Sequence, residues 1–137
     1  MNRAGLDSNP RRGLVQVPIL KQGAHLIATV QSALTDADLV QLRDAIVEQV
    51  GRTRARGVII DVTALDVMDS FATAMMRDIA QMIRLRGART VIVGIQPEVA
   101  FAMVQMGLTL EGVTTSLDLE EALEHLGELD EGKKRKS

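Results

Sequence analysis

A chain of 137 residues with 46 % apolar side chains, 1 % aromatics and no cysteine has room for one core. Val, Ile, Leu, Ala and seven Met must fill that core, and disulfide frameworks, thiolate metal sites and Cys nucleophiles are excluded. The formal charge of -2 divides unevenly: residues 14–131 hold 9 basic and 17 acidic side chains, a net -8 that argues against a specific nucleic-acid ligand for the domain.

The first thirteen residues, MNRAGLDSNPRRG, lack both periodicity and the apolar stretch of a signal peptide, and read as a disordered lead-in. A domain is expected over residues 14–127. VQVPIL (15–20) and HLIATV (25–30) read as a hairpin joined by KQG, with Pro18 keeping the first strand near an edge. Thr35 with Asp38 three residues on resembles a capping box, after which Leu39, Leu42, Ile46 and Val50 recur at helical spacing. Arg52, Arg54 and Arg56 complement the negative end of that helix, and Gly57 is expected to stop it.

GVIIDV (57–62) is a continuous apolar run, the pattern of a strand covered on both faces. A loop, TALDVMD, leads to a helix from Ser70 to Leu85 with Phe71, Met75, Ile79, Met82 and Ile83 expected inside and Gly87 closing it. TVIVGI (90–95) is a second buried strand, Pro97 opens a third helix, and Gly107 ends it. A short VTT strand (113–115) precedes a last helix opened by Ser116 or Asp118 and carrying Leu119, Leu123 and Leu126. Residues 128–137, ending in KKRK, read as a charged flexible tail. Alternating strands and helices imply an α/β domain: a mixed, largely parallel sheet with an N-terminal hairpin and about four helices.

Catalytic chemistry is thinly represented. Two histidines, His25 and His125, without cysteine do not make a metal site, and no cofactor is expected. There is no Walker A lysine and no GxGxxG after a strand; the GIQP turn offers a single glycine. Ser70 in Asp-Ser-Phe lacks the glycine-flanked elbow of a hydrolase nucleophile. Six of the methionines fall on or beside the second and third helices, and adjacent Met75 and Met76 are not expected to face the sheet together. By position, Ser70 reads first as a helix cap worth about 1 kcal/mol. The same position suits a phosphate acceptor, because a phosphate there would meet free N–H groups and the positive end of the helix dipole.

The run GVIIDVTALDVMDSFATAMMRDIAQMIRLRGARTVIVGIQPEVAFAMVQMGL, residues 57–108, resembles the core of a STAS domain, the fold of the anti-sigma factor antagonists. The similarity extends from VPILK to LDLEEALEHL and is strongest for the S-type scaffold proteins of the bacterial stressosome. It implies a noncatalytic scaffold on which Ser70 is phosphorylated by a switch-type serine kinase, with Asp69 as the neighbouring acid. Asp66, Met68, Asp69, Thr73 and Arg77 are the switch-loop or partner-binding candidates beside it, and Asp61 is expected to support the loop rather than touch a partner. The implied partners are that kinase, R-type paralogues with N-terminal sensor domains in a large assembly, and a resetting phosphatase. The lead-in is too short for a sensor domain, and VAFAMVQM lacks the second phosphoacceptor of R-type chains, which places the chain on the S side. The alternative is a free-standing anti-sigma factor antagonist that binds an anti-sigma kinase directly. A cytoplasmic protein without a membrane partner is expected, since no uncharged run, residues 99–110 included, is long enough to cross a bilayer.

Overall fold

A computed structural model of the chain describes the backbone of residues 17–136 and the side chains of residues 17–127. In chain order the elements are β1 (Ile19–Gln22), β2 (His25–Thr29), α1 (Asp36–Thr53), β3 (Gly57–Asp61), α2 (Ser70–Leu85), β4 (Arg89–Val93), α3 (Pro97–Gln105), β5 (Thr114–Ser116) and α4 (Leu119–Lys136). The expected lead-in lies outside the described residues, as do the first residues of the expected first strand.

The strands form one sheet in the order β1-β2-β3-β4-β5, with β1 antiparallel to β2 and every other pair parallel. β1 is an edge strand, as Pro18 requires. The hairpin is tighter than KQG suggested: Lys21 and Gln22 pair with Leu26 and His25, so the turn is Gly23 and Ala24 alone. Each parallel strand lies beside the previous one, so right-handed crossovers stack α1, α2 and α3 on a single face. The period of two along each strand then divides the core. Leu26, Ala28, Val58, Ile60 and Ile92 point to those three helices, while Ile27, Ile59, Val91 and Val93 meet Ala122 and Leu126 of α4 on the other side. This two-sided burial is why 57–62 and 90–95 read as uninterrupted apolar runs. Each such side chain contributes about 1.5–3 kcal/mol on leaving water.

The capping box forms as expected: Thr35 Oγ1 accepts from the Asp38 N–H at 3.0 Å and Asp38 Oδ2 accepts from the Thr35 N–H at 3.1 Å. The end of α1 does not. Arg54, at φ 55°, turns the chain, and Gly57 is instead the first residue of β3. A Cβ on Gly57 would fall 2.9 Å from both His25 Cδ2 and Leu126 Cδ1, so glycine is needed there for α4 to reach the sheet. α2 closes in a Schellman motif: Gly87 N–H bonds to Arg84 O and Ala88 N–H to Ile83 O. α3 ends in the same way, at Gly107.

Two helical assignments change. Phe71 and Met82, expected inside, sit on the outer edge of α2, whereas Met75 and Met76 are both buried, together with Ala72, Thr73, Ile79 and Ile83. α2 is packed against α1 as well as the sheet. Its buried arc therefore spans roughly 160° of the helical wheel, wide enough for two adjacent methionines. The backbone of α4 also continues to Lys136, through residues read above as a flexible tail. Acids at 130 and 131 stand four residues before bases at 134 and 135, a spacing that favours helix. Among the described residues no helix is long and apolar enough to cross a membrane, and no group of three or more His, Asp or Glu side chains is placed to hold a metal ion.

Candidate functional site

The Asp-Ser pair lies where β3 hands over to α2, at the C-terminal ends of the parallel strands. Asp61 begins the connection. Its Oδ1 accepts from the Thr63 N–H at 2.9 Å and from the Thr63 hydroxyl at 2.6 Å, while the Gln96 side-chain amide donates to Thr63 O at 2.6 Å. Gly94, at φ 82°, passes so close to Thr63 that no side chain fits between them. The β3–α2 and β4–α3 loops are thus tied through one residue, and Asp61 has the supporting role expected of it.

Beyond Thr63 the loop is anchored by alternate burial. Leu65 and Met68 insert into the core, while Asp66, Val67, Asp69 and Ser70 face solvent. Asp69, not Ser70, is the helix cap: its backbone is extended and its Oδ1 accepts from the Ala72 N–H at 2.8 Å. Ser70 is the first helical residue. Its hydroxyl has no hydrogen bond among the described residues, and the cap bond leaves the Ser70 and Phe71 N–H groups directed outward at the positive end of the dipole.

The other candidates separate by burial. Asp66 is exposed, four residues before Ser70 in the loop. Met68 at 2 % exposure and Thr73 at 0 % are inside, so they hold the loop in place rather than meet a partner. They occupy the positions before and four after the cap, the two places joined in a hydrophobic staple. The Thr73 hydroxyl is buried without a partner among the described residues. Arg77 is half-buried and its guanidinium donates to Thr109 O at 2.6 Å, which fixes α2 to the connection before β5. Val67, 68 % exposed, and Phe71, 38 % exposed, are surface residues next to Ser70 that the sequence reading missed. A helical wheel set on Ala72, Met76, Ile79 and Ile83 would have found Phe71, since it falls roughly 110° from the centre of that stripe.

The cap and the acceptor can be separated experimentally. Asp69→Ala should cost about 1 kcal/mol in urea unfolding and Asp69→Asn much less, because the amide oxygen still accepts. Ser70→Ala, at an exposed position with no bond to lose, should stay within about 0.5 kcal/mol of the parent.

Comparison with known proteins gives this geometry a family. Residues 16–122 match the STAS domain model. Among curated proteins, the RsbT co-antagonist protein RsbRA of Bacillus subtilis is 26 % identical over 108 residues, which are 79 % of this chain and 38 % of RsbRA. The chain therefore spans well under half of that relative. Among solved structures, a serine-to-glutamate variant of RsbS from Moorella thermoacetica aligns with a TM-score of 0.73 at 31 % identity, covering 85 % of this chain and 98 % of that one. A chain of the stressosome, described as a signal integration and transduction hub, aligns with a TM-score of 0.67 at 30 % identity over 82 % of this chain and 98 % of its own. With its hairpin-led five-stranded sheet, three helices on one face and the Asp-Ser junction after β3, the chain belongs to the STAS-domain family and is similar to RsbS.

Proposed function

We propose that the chain is a noncatalytic, phosphorylatable scaffold of a stressosome-type complex, which holds a switch-type serine kinase and releases it when Ser70 is phosphorylated. The observation that carries this reading is Ser70 itself: exposed, without a hydrogen bond among the described residues, preceded by the Asp69 cap and followed by exposed Phe71, on a loop that also carries exposed Val67. An acceptor must reach a kinase active site, and a docking surface needs apolar area with a polar rim. The junction supplies both.

The likeness to RsbS and to a stressosome chain supports an assembly role, and the RsbT co-antagonist relatives suggest R-type paralogues as its companions. A hydrolytic role for Ser70 has no support from the histidines. His25 begins β2 and His125 lies on α4 beside the start of β4, both toward the opposite end of the strands from Ser70. A resetting phosphatase and a cytoplasmic location complete the reading.

The test is incubation of the chain with a switch-type serine kinase from the same genome and Mg-ATP, followed by peptide mass spectrometry. One phosphate at Ser70, absent from Ser70→Ala, is expected; modification elsewhere with Ser70 untouched would overturn the proposal. Mixing with R-type paralogues should give a megadalton particle. A stable small complex with an anti-sigma factor would instead favour the free-standing antagonist.

A further inference from the structure

At the other end of α2 the sheet is incomplete. β5 is three residues long and pairs only with residues 91–93, so the start of β4 has no neighbour on that side. The ladder alternates: Arg89 N–H bonds to Arg56 O and Val93 O accepts from Val62 on the β3 side, whereas Gly94 N–H bonds to Ser116 O on the β5 side. By this alternation the Thr90 backbone is turned toward the missing strand. A cleft of about 400 Å³ fills the gap, running from Arg84 of α2 past Arg89, Thr90, Gly112 and Thr114 to His125 of α4. Its volume is that of a small-molecule site.

The chemistry of the walls is one-sided. Among the described residues no carboxylate lines the cleft; Glu111 lines a smaller adjoining recess with Arg77 and Arg84. Residues 14–131 carry a net charge of -8, yet neither Arg84 nor Arg89 is in an ion pair among the described residues. Arg84 has only a 3.5 Å contact to Gly112 O. The Thr90 hydroxyl, on a residue 7 % exposed, is buried without any partner. Two exposed guanidiniums without a carboxylate partner among the described residues and one buried, unpartnered hydroxyl line one space, a set of donors that an anion would complete. At this end of α2, Ile83 O and Arg84 O are capped by the N–H groups of residues 86–88, which reduces their opposition to an anion.

We propose that this cleft binds a small organic phosphate monoester, with the phosphate held by Arg84, Arg89 and the Thr90 hydroxyl and the organic part lying along His125. Guanidiniums match phosphate oxygens in paired geometry, and the cleft is too large for a bare ion to fill. Ser70 and Arg84 are fourteen residues apart on α2, roughly 20 Å along its axis, so the site is separate from the phosphoacceptor and does not depend on the role proposed for it.

The test uses the full ¹⁵N-labelled chain titrated with AMP, GMP, ribose 5-phosphate, inorganic phosphate and the nucleosides adenosine and guanosine. At least one organic phosphate should shift the amides of Arg89, Thr90 and Gly112 with a dissociation constant below about 1 mM, and Arg84→Ala/Arg89→Ala should weaken it at least about tenfold. Thr90→Val should also weaken binding while leaving the melting temperature unchanged or higher, since the hydroxyl it removes has no partner inside the protein. Absence of cleft shifts with every organic phosphate would overturn the proposal. So would nucleosides or inorganic phosphate acting as strongly as the best organic phosphate, or unchanged affinity in the double variant.

Discussion

Gly94→Ala should destabilise the protein by about 2–5 kcal/mol, combining a left-handed backbone penalty of about 1–2 kcal/mol with overpacking of about 1–3 kcal/mol. The second penalty comes from Thr63. An added Cβ would overlap Thr63 Oγ1 and lie 3.0 Å from its Cβ and 3.2 Å from its Cα, so rotation of the hydroxyl alone would not relieve it. Gly87 is the matched control: its φ of 85° is close to the 82° of Gly94, but a Cβ there meets nothing within 4 Å. Gly87→Ala should therefore show the backbone penalty only. In thermal unfolding the two variants should separate by roughly 5–10 °C for a chain of this size, and equal melting points would show that Thr63 yields freely. Thr63→Ala should recover part of the Gly94→Ala deficit in a double-mutant cycle. The functional consequence is local. Thr63 also receives the Gln96 amide and donates to Asp61, so pushing it away loosens the root of the Ser70 loop, and hydrogen exchange at residues 62–69 should accelerate more than the lost global stability explains.

The parts of this arrangement that are local could be read in the chain. The apolar runs at 57–62 and 90–95 announced strands buried on both faces, Thr35 and Asp38 announced a reciprocal cap, and Gly87 and Gly107 announced helix ends. What failed depended on phase or on distant contacts. Asp69 and Ser70 are equally good caps by residue type, so type could not choose between them. Their neighbours could: capping by Asp69 places Met68 before the cap and Thr73 four after it, a buried pair, whereas capping by Ser70 would put Asp69 in the first of those places. The burial of both Met68 and Thr73 follows from that one-residue choice. Met82 was misplaced because it lies at the margin of a wide stripe, where packing against α1 settles which side is covered, whereas Phe71 lies beyond that margin and a wheel set on Ala72, Met76, Ile79 and Ile83 excludes it. The contact of Gly94 with Thr63, the approach of Leu126 to Gly57 and the cleft beside the short β5 all join residues far apart in the chain, and no periodicity announces them.

On the proposed scaffold role, Ser70→Asp should lower affinity for a switch-type kinase at least about tenfold, corresponding to about 1.4 kcal/mol, without unfolding the protein. The two effects have opposite electrostatic signs. A negative group at the first position of α2 faces unpaired N–H groups and the positive helix end, worth about 0.3–1 kcal/mol in favour of the fold. Toward a partner, the same charge adds to those of exposed Asp66 and Asp69 on the segment that also exposes Val67 and Phe71, and closing an interface over it requires stripping water from an added anion. The melting temperature of Ser70→Asp should thus equal or exceed that of the parent while binding falls. Phosphate, with a charge of about -1.5 to -2 at pH 7, should weaken binding further. Ser70→Ala should bind like the unmodified chain and resist release by Mg-ATP. Since Asp66, Asp69 and Ser70 are exposed, the repulsive share should shrink as salt rises and the Debye length falls from about 8 Å at 0.15 M to about 3 Å at 1 M. The desolvation share should persist. Measured by calorimetry at both salt concentrations, a Ser70→Asp chain that holds the kinase as tightly as the parent would overturn the electrostatic account. A loss of binding matched by a fall in melting temperature would instead mean that the substitution acts by loosening the helix start.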